Sequence, residues 1–401
     1  MKLSIHRWYR YTAGFSAAWV SKVIDEEIKN GRTHIIDPFV GSGTVAIECT
    51  KHPVEAYGLE SNPYVYKIAS AKLKWNAIST PHIREVAENL LAAAATIDTD
   101  ITEYPVLITK CYPEETLRML DSLKRACIAM DEGVDREFMW FVITAILRST
   151  SPVGTAQWQY VLPNKTKANV LAPYDAFRKK VDEICHDIQV SNANESNHNA
   201  RILQQDAREA VDIPDNWGDL VITSPPYANN YDYADAMRLE MSFWGDLDGW
   251  NGLHNISTHL VRACTQHVSN LKDKIEDLIK SPLIEPIRED LQEKFDLLAA
   301  ERLNHGGKKN YHLMIVAYFY DLARVFHILN TKTTENCKMC FVIGDSAPYG
   351  IYIPVDEWLG RLAVSAGFKA YSFEKLRDRN IKWKNRKHRV PLKEGRLWIN
   401  K

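Results

Sequence analysis

Read for its apolar positions alone, the chain alternates between two periods. Short runs rich in Val, Ile and Leu predict strands at Thr33–Asp37, Glu55–Leu59, Arg201–Gln205, Asp219–Thr223, Cys340–Gly344, Phe368–Phe373 and Arg396–Ile399. Between most of them, apolar residues recur three and four positions apart. That spacing predicts helices over Phe15–Lys29, Val45–Lys51, Val65–Trp75, Tyr311–Leu329 and Val355–Ala366. Strands that alternate with helices imply an α/β fold: a mostly parallel, twisted, doubly wound sheet of seven strands with helices on both faces.

Two long stretches interrupt the alternation. Residues 78–199 carry helical patterns that include Pro113–Met130, Arg136–Arg148 and Tyr174–Gln189, a Pro/Gly/Lys-containing loop at Pro152–Pro173, and a polar run at Ser191–Asn199 that leads back to the sheet. Residues 228–310 include an amphipathic pattern at Pro282–Leu303 that ends in Asn304-His305-Gly306-Gly307-Lys308-Lys309. The expected organisation is a catalytic domain of 1–77 and 200–401, a mainly helical insert at 78–199, and a loop-and-helix excursion at 228–310.

Composition narrows the class. At 401 residues, 45% hydrophobic and 25% charged, the chain can bury a large core. No apolar stretch approaches the roughly 18 residues needed to cross a bilayer, and the N-terminus turns polar and aromatic too soon for a secretory signal. Seven irregularly spaced cysteines fit reduced thiols, so the cytoplasm is the expected compartment. Cys337-Lys338-Met339-Cys340 has metal spacing but no second Cys/His pair, and the 13 histidines form no His-Glu-x-x-His cluster, so no metal is expected. The formal net charge is −1, yet Lys369–Lys401 holds twelve Lys/Arg against three acids. Such a stretch suits phosphates, or is simply a solvated hairpin.

Two predicted strand ends carry chemistry, Asp37-Pro38-Phe39-Val40-Gly41-Ser42-Gly43-Thr44 and Thr223-Ser224-Pro225-Pro226-Tyr227. In open α/β sheets that edge is where ligands bind. Gly41 and Gly43 let backbone approach a ligand closely. Ala46 occupies the third glycine's place of a dinucleotide loop, no Gly-Lys-Ser/Thr follows, and the Asp37 carboxylate suits a cation better than a phosphate. Glu60 and Asp206 end two further strands, where carboxylates accept from ribose hydroxyls or an exocyclic amine. Taken singly, each of these acids could equally be a helix cap.

Together the two strings resemble the first and catalytic motifs of the amino-group DNA methyltransferases of the N4-cytosine/N6-adenine type, and the resemblance extends over most of the chain. It implies a Rossmann-like class I methyltransferase fold, with S-adenosylmethionine as cofactor and double-stranded DNA as substrate. By the same resemblance Asp37, Pro38, Phe39, Gly41, Gly43, Glu60 and Asp206 hold the cofactor, and the segment from His6 to Val23 completes the methionine pocket. Ser224, Pro225, Pro226 and Tyr227 are the catalytic set.

Those roles make physical sense. An amino nitrogen conjugated to a base ring is a poor nucleophile, and acceptors such as the Ser224 hydroxyl and the Pro225 carbonyl free its lone pair. The Pro-Pro turn is stiff and lacks N–H donors. Tyr227 stacks on an extruded base, and the methyl passes by in-line displacement. No Pro-Cys pair is present for attack at cytosine C5. Serine in first place looks more like the N4-cytosine members, with N6-adenine, an RNA amino group, or a catalytically idle DNA-binding regulator as alternatives. Target reading falls to the two excursions, through Arg148-Ser149-Thr150-Ser151, Gln157-Trp158-Gln159-Tyr160 and the Asn229, Asn230, Tyr231, Tyr233 group. A cognate restriction endonuclease is a natural partner.

Overall fold

The apolar runs become strands because both their faces are covered. The computed structural model describes residues 3–11, 14–155, 161–191, 199–247, 252, 256–379 and 391–401. Seven strands, β1 (His34–Asp37), β2 (Glu55–Leu59), β3 (Ala200–Leu203), β4 (Gly218–Thr223), β5 (Thr333–Gly344), β6 (Ala370–Arg379) and β7 (Leu392–Asn400), form one sheet in the order β3-β2-β1-β4-β5-β7-β6. The first five pair in parallel; β7 is antiparallel to both β5 and β6. The order reverses between β1 and β4, whose register sets Ile35 beside Leu220 and Ile36 beside Val221. This is the Rossmann-like arrangement the resemblance implies, and a reversal of that kind opens a crevice at the carboxyl ends of the two strands.

Alternation along the strands builds two cores. Ile35, Leu220 and Ile222 pack with Val20, Ile24 and Val45, whereas Ile36 and Val221 pack with the long helix Tyr311–Lys332. The first core is closed by α1 (Ala17–Ile28) and α2 (Thr44–Cys49). Next comes α3 (Pro63–Leu73), started by Asn62, whose side-chain oxygen accepts the Tyr64 and Val65 N–H groups, with Pro63 in the first turn.

At 22 residues Tyr311–Lys332 is, by length and composition, long and apolar enough to cross a membrane, contrary to the expectation that no such stretch exists. It is a core helix: neighbouring segments Arg288–Asn304, Val355–Ser365 and Thr265–Lys274 pack against it, and its buried Asp321 binds two arginines.

Other differences have local causes. Predicted helix Pro282–Leu303 is broken by Pro286, giving a 3-10 turn at Pro282–Ile287 before Arg288–Asn304. The loop predicted at Pro152–Pro173 contains an antiparallel ribbon of Val153–Thr155 with Val161–Thr166. β6 runs on through charged, exposed positions because it is the sheet edge, where no apolar run marks it. The Ser191–Asn199 connection falls mainly on residues 192–198, outside the described residues.

The insert folds as helices Thr80–Ala94, Val106–Cys111, Glu114–Ile128, Val134–Thr150 and Pro173–Ser191. Its core, with Leu90, Leu120, Phe138, Phe141 and Ile184, is continuous with Trp8, Tyr64 and Phe243. The weld is polar as well. Asp187 accepts from the Ile5 N–H at 3.1 Å, the Arg7 guanidinium and the Trp8 indole N–H at 2.9 Å.

Candidate active site

Both motifs leave their strands at the switch point and meet on one cavity of about 600 Å³. Pro38, Phe39, Gly41, Glu60 and Asp206 line it from one side, and Ser224, Pro225, Pro226 and Tyr227 from the other. Backbone geometry explains the two glycines. Gly41 has φ +53°, and a Cβ there would come 3.1 Å from the Tyr11 ring; Gly43, at φ +89°, caps α2 in the left-handed conformation. Gly43 therefore shapes the turn without lining the cavity.

Asp37 does not line it either. It is buried at the tip of β1, where Oδ1 accepts from the Thr223 hydroxyl at 2.7 Å and the Phe39 N–H at 3.1 Å. Oδ2 is buried with no partner among the described residues. Burial pushes this carboxyl up to about 7, against both hydrogen bonds. An acceptor stranded under the floor of a cavity fits an ammonium group, so the residues present suit the amino-acid end of S-adenosylmethionine.

The other two acids are anchored by backbone and by arginine. Glu60 accepts the Gly41 N–H at 2.9 Å and the Asn62 N–H at 2.8 Å, and burial lifts it to about 7. Each of its oxygens keeps a lone pair for a diol. Asp206 accepts from the Arg208 backbone at 2.8 Å and its Nε at 2.9 Å; Arg208 in turn donates to Asp321 at 3.2 Å. The turn after β1 is braced from below, because fully buried Lys72 donates to the Ser42 carbonyl at 2.7 Å, and burial holds its ammonium down to about 7.

On the opposite wall the Ser224 hydroxyl donates to the Val342 carbonyl at 3.2 Å and also meets the Tyr227 hydroxyl, and its oxygen has two lone pairs with which to accept. The Tyr227 N–H donates to the Tyr233 hydroxyl at 3.3 Å, and Tyr233 meets Tyr231 edge to face at 4.5 Å between centroids. Burial raises the Tyr227 phenol to about 12, so it is a neutral aromatic surface. Asn229, Tyr231 and Tyr233 line the cavity as expected. Asn230 instead turns away: its side-chain oxygen accepts the Thr265 N–H at 2.8 Å.

One group of candidate base readers is corrected. Arg148 is held by the buried Glu240 carboxylate at 2.9 Å and the Ala236 carbonyl at 2.7 Å, Ser149 donates to the carbonyl of Ile146, and Thr150 and Ser151 are buried. The string is structural, a polar run spent on joining the insert to the segment after the catalytic motif. The companion string Gln157–Tyr160 lies outside the described residues. Tyr11 and Trp19 fall in the His6–Val23 segment expected at the pocket, though not singled out there, and sequence reasoning missed His259, His267, Arg377, Arg379 and Arg396 in the cavity wall. The aromatic N-terminal segment and the basic last stretch were the available signals, without indicating which side chains turn inward. Of the discounted cysteines, Cys337 and Cys340 are buried in β5. A separate group, Asp232, Cys264 and His267, brings ligand-type atoms within 4.8 Å of one another; Asp232 pairs with His267 at 3.3 Å, and the Cys264 thiol donates to Asn230.

Comparison with known proteins bears on this geometry. Residues 19–102 match the family model of the D12 class N6 adenine-specific DNA methyltransferases. The chain is 24% identical over 404 residues to the Type II methyltransferase M.AvaI of Nostoc, covering 90% of this chain and 79% of that protein. It is also 24% identical over 433 residues to the Type II methyltransferase M.BsoBI of Geobacillus stearothermophilus, covering 94% and 81%. M.MvaI of Kocuria varians, another Type II methyltransferase, is 21% identical over 402 residues, covering 92% and 82%. Such a family implies S-adenosylmethionine as methyl donor. With two motifs on one cavity and matches that cover 90% and 94% of the chain, the comparisons support an amino-group DNA methyltransferase.

Proposed function

We propose that this chain methylates the exocyclic amino group of a base extruded from double-stranded DNA, at N4 of cytosine. The observation that carries the reading is the convergence of the 37–44 turn and Ser224–Tyr227 on a single cavity at the switch point of the sheet. S-adenosylmethionine, when bound, supplies an electrophilic methyl on a positively charged sulfur. Asp37 takes the ammonium of its amino-acid end, Glu60 the ribose hydroxyls and Asp206 the adenine amine, while Phe39 packs beside it. Ser224 Oγ and the Pro225 carbonyl accept from the target amino group and turn its lone pair toward the methyl. Tyr227 supports the base by stacking. The rest is alignment in a site walled by Tyr11, Tyr231 and Tyr233.

Ser224 in first place supports cytosine. The family description matched over 19–102 favours N6 of adenine, and this is the second reading. Residues 78–199 and 228–310 are proposed to read the duplex. The relatives' Type II designation supports a place beside a cognate endonuclease. The test is transfer of labelled methyl to unmethylated duplex DNA, followed by mapping of N4-methylcytosine and N6-methyladenine in DNA from a host expressing the chain. N4-methylcytosine at one recurring sequence is expected. Methyladenine there selects the second reading, and label in RNA but in no DNA overturns both.

A further inference from the structure

We propose that Arg379 determines which base is methylated, its guanidinium reading the ring acceptors N3 and O2 of the target cytosine; this rests on the reading above, in which the extruded base stacks on Tyr227. Arg379 is the last residue of β6, at the same sheet edge as the catalytic turn, and lines the same cavity. Its guanidinium carbon stands 5.5 Å from the centre of the Tyr227 ring. That is close to the limit of about 6 Å for a cation held over an aromatic face.

Gly344 marks the side of the Tyr227 ring on which the cation stands. A Cβ at position 344 would lie 3.4 Å from Tyr227 Cε2 and 2.4 Å from Arg379 Nη1, so both atoms border the notch that the missing side chain leaves. A side chain at 344 would push the guanidinium aside. The fork is thus held over the Tyr227 ring on its Gly344 side, within reach of the rim of a base brought against Tyr227.

It is held without being used up. Nη1 reaches the Asp345 carbonyl only at 3.4 Å, and Nε lies 3.6 Å from Glu394, a carboxylate already engaged by Arg377 at 2.6 Å. A guanidinium has five N–H donors in a rigid fork, so among the described residues most remain for a ligand. With its side chain 21% exposed, Arg379 is partly stripped of water, which makes a neutral acceptor worth finding.

The chemistry of the two candidate bases then differs. With the amino group engaged by Ser224 and Pro225, the next two ring positions of cytosine are N3 and the carbonyl O2, both acceptors, and they match two parallel N–H donors. In adenine the corresponding positions are N1, an acceptor, and C2–H, which is none. A fork aimed at that edge makes one hydrogen bond more to cytosine and leaves a donor unpaired against adenine.

The test uses the full chain and synthetic duplexes bearing its recognition sequence, read first from DNA methylated in an expressing host. The target position carries cytosine, 3-deazacytosine (N3 replaced by C–H, amino group kept) or adenine, and kcat/KM is measured for the wild type, Arg379→Gln, Arg379→Lys and Gly344→Ala. The wild type should lose about ten- to hundredfold in kcat/KM on 3-deazacytosine. Arg379→Gln and Arg379→Lys should lose a similar factor on cytosine and little more on the deaza target, with cofactor affinity unchanged as the sign of an intact fold. Gly344→Ala, which pushes Nη1 away, should follow them. A wild-type ratio of cytosine to 3-deazacytosine rates retained in Arg379→Gln overturns the proposal, as does full activity of that variant on cytosine. A wild type that methylates adenine overturns it while leaving the methyltransferase reading intact. A wild type that methylates no DNA removes both.

Discussion

A carboxylate buried without a counter-charge weakens a fold and is retained where a ligand supplies the missing cation. Asp37 fits that description, with Oδ2 unpartnered among the described residues and its carboxyl raised to about 7. Because the folded-state value is raised, the ligand-free protein holds the proton more tightly than the unfolded chain does. The resulting stabilisation is complete below the ordinary carboxylate range and is lost as pH rises through about 7. Asp37→Asn keeps an oxygen for Thr223 and Phe39 and removes the charge. Above neutrality this variant should therefore unfold at higher temperature than the wild type, with roughly 1–2 kcal/mol gained. Calorimetric titration with S-adenosylmethionine should show the opposite effect on binding, an affinity roughly ten- to hundredfold weaker. In the wild type that affinity should fall as pH drops through about 7, since protonation removes the Asp37 charge that faces the ammonium and weakens Glu60 as an acceptor. A flat wild-type profile from about pH 8 to about pH 6 would remove the ammonium role from Asp37.

At the scale of elements, what holds the strand tips in place comes from far along the chain. Asp206 is fixed by Arg208, and Arg208 by Asp321 in the middle of Tyr311–Lys332, where Arg262 adds a second bond at 2.6 Å. Replacing Asp321 by Asn would leave Arg262 without its counter-ion and Arg208 with Asp206 alone, at a cost of about 3 kcal/mol. Chemical denaturation should show that loss, and the cofactor should bind more weakly because Arg208, which anchors Asp206, loses its own tie to the helix. Leucine at 321 should be at least as harmful, whereas unchanged stability in Asp321→Asn would mean the network contributes nothing.

The same network shows where sequence reading stops. The strands were legible because Ile35, Ile36, Leu220 and Val221 are buried on both faces and appear as unbroken apolar runs, and the strand-end acids because motif and strand end coincide. Asp321 inside an apolar helix, Arg148 against Glu240 and Arg379 beside Tyr227 were not legible. Each acquires its role from a partner in a different segment, and local pattern carries no record of such pairs. For that reason Arg148 read as a surface base contact when it is in fact a buried tie.

Over the whole molecule, the insert is tied to one wall of the cavity through the N-terminal segment. Asp187, near the end of Pro173–Ser191 and fully buried, gathers Ile5, Arg7 and Trp8, and Trp8 packs edge to face on Phe138 at 6.2 Å. From there the chain runs through Tyr11, Phe15 and Trp19, all in the cavity wall, into α1. The insert therefore holds the segment that closes one side of the cavity, although Asp187 itself does not line it. Asp187→Asn keeps the shape but loses the charge facing Arg7, and should cost about 3 kcal/mol of stability. The more telling readout is coupling. If the segment is positioned from the insert, this variant should also bind S-adenosylmethionine several-fold less tightly, and saturating cofactor should restore part of the lost melting temperature, because binding favours the docked state. Hydrogen exchange should then show faster opening of residues 5–19 than of β1 or β4. An Asp187→Asn protein that melts early yet binds cofactor with wild-type affinity would show instead that the insert and the pocket share a core without sharing a function.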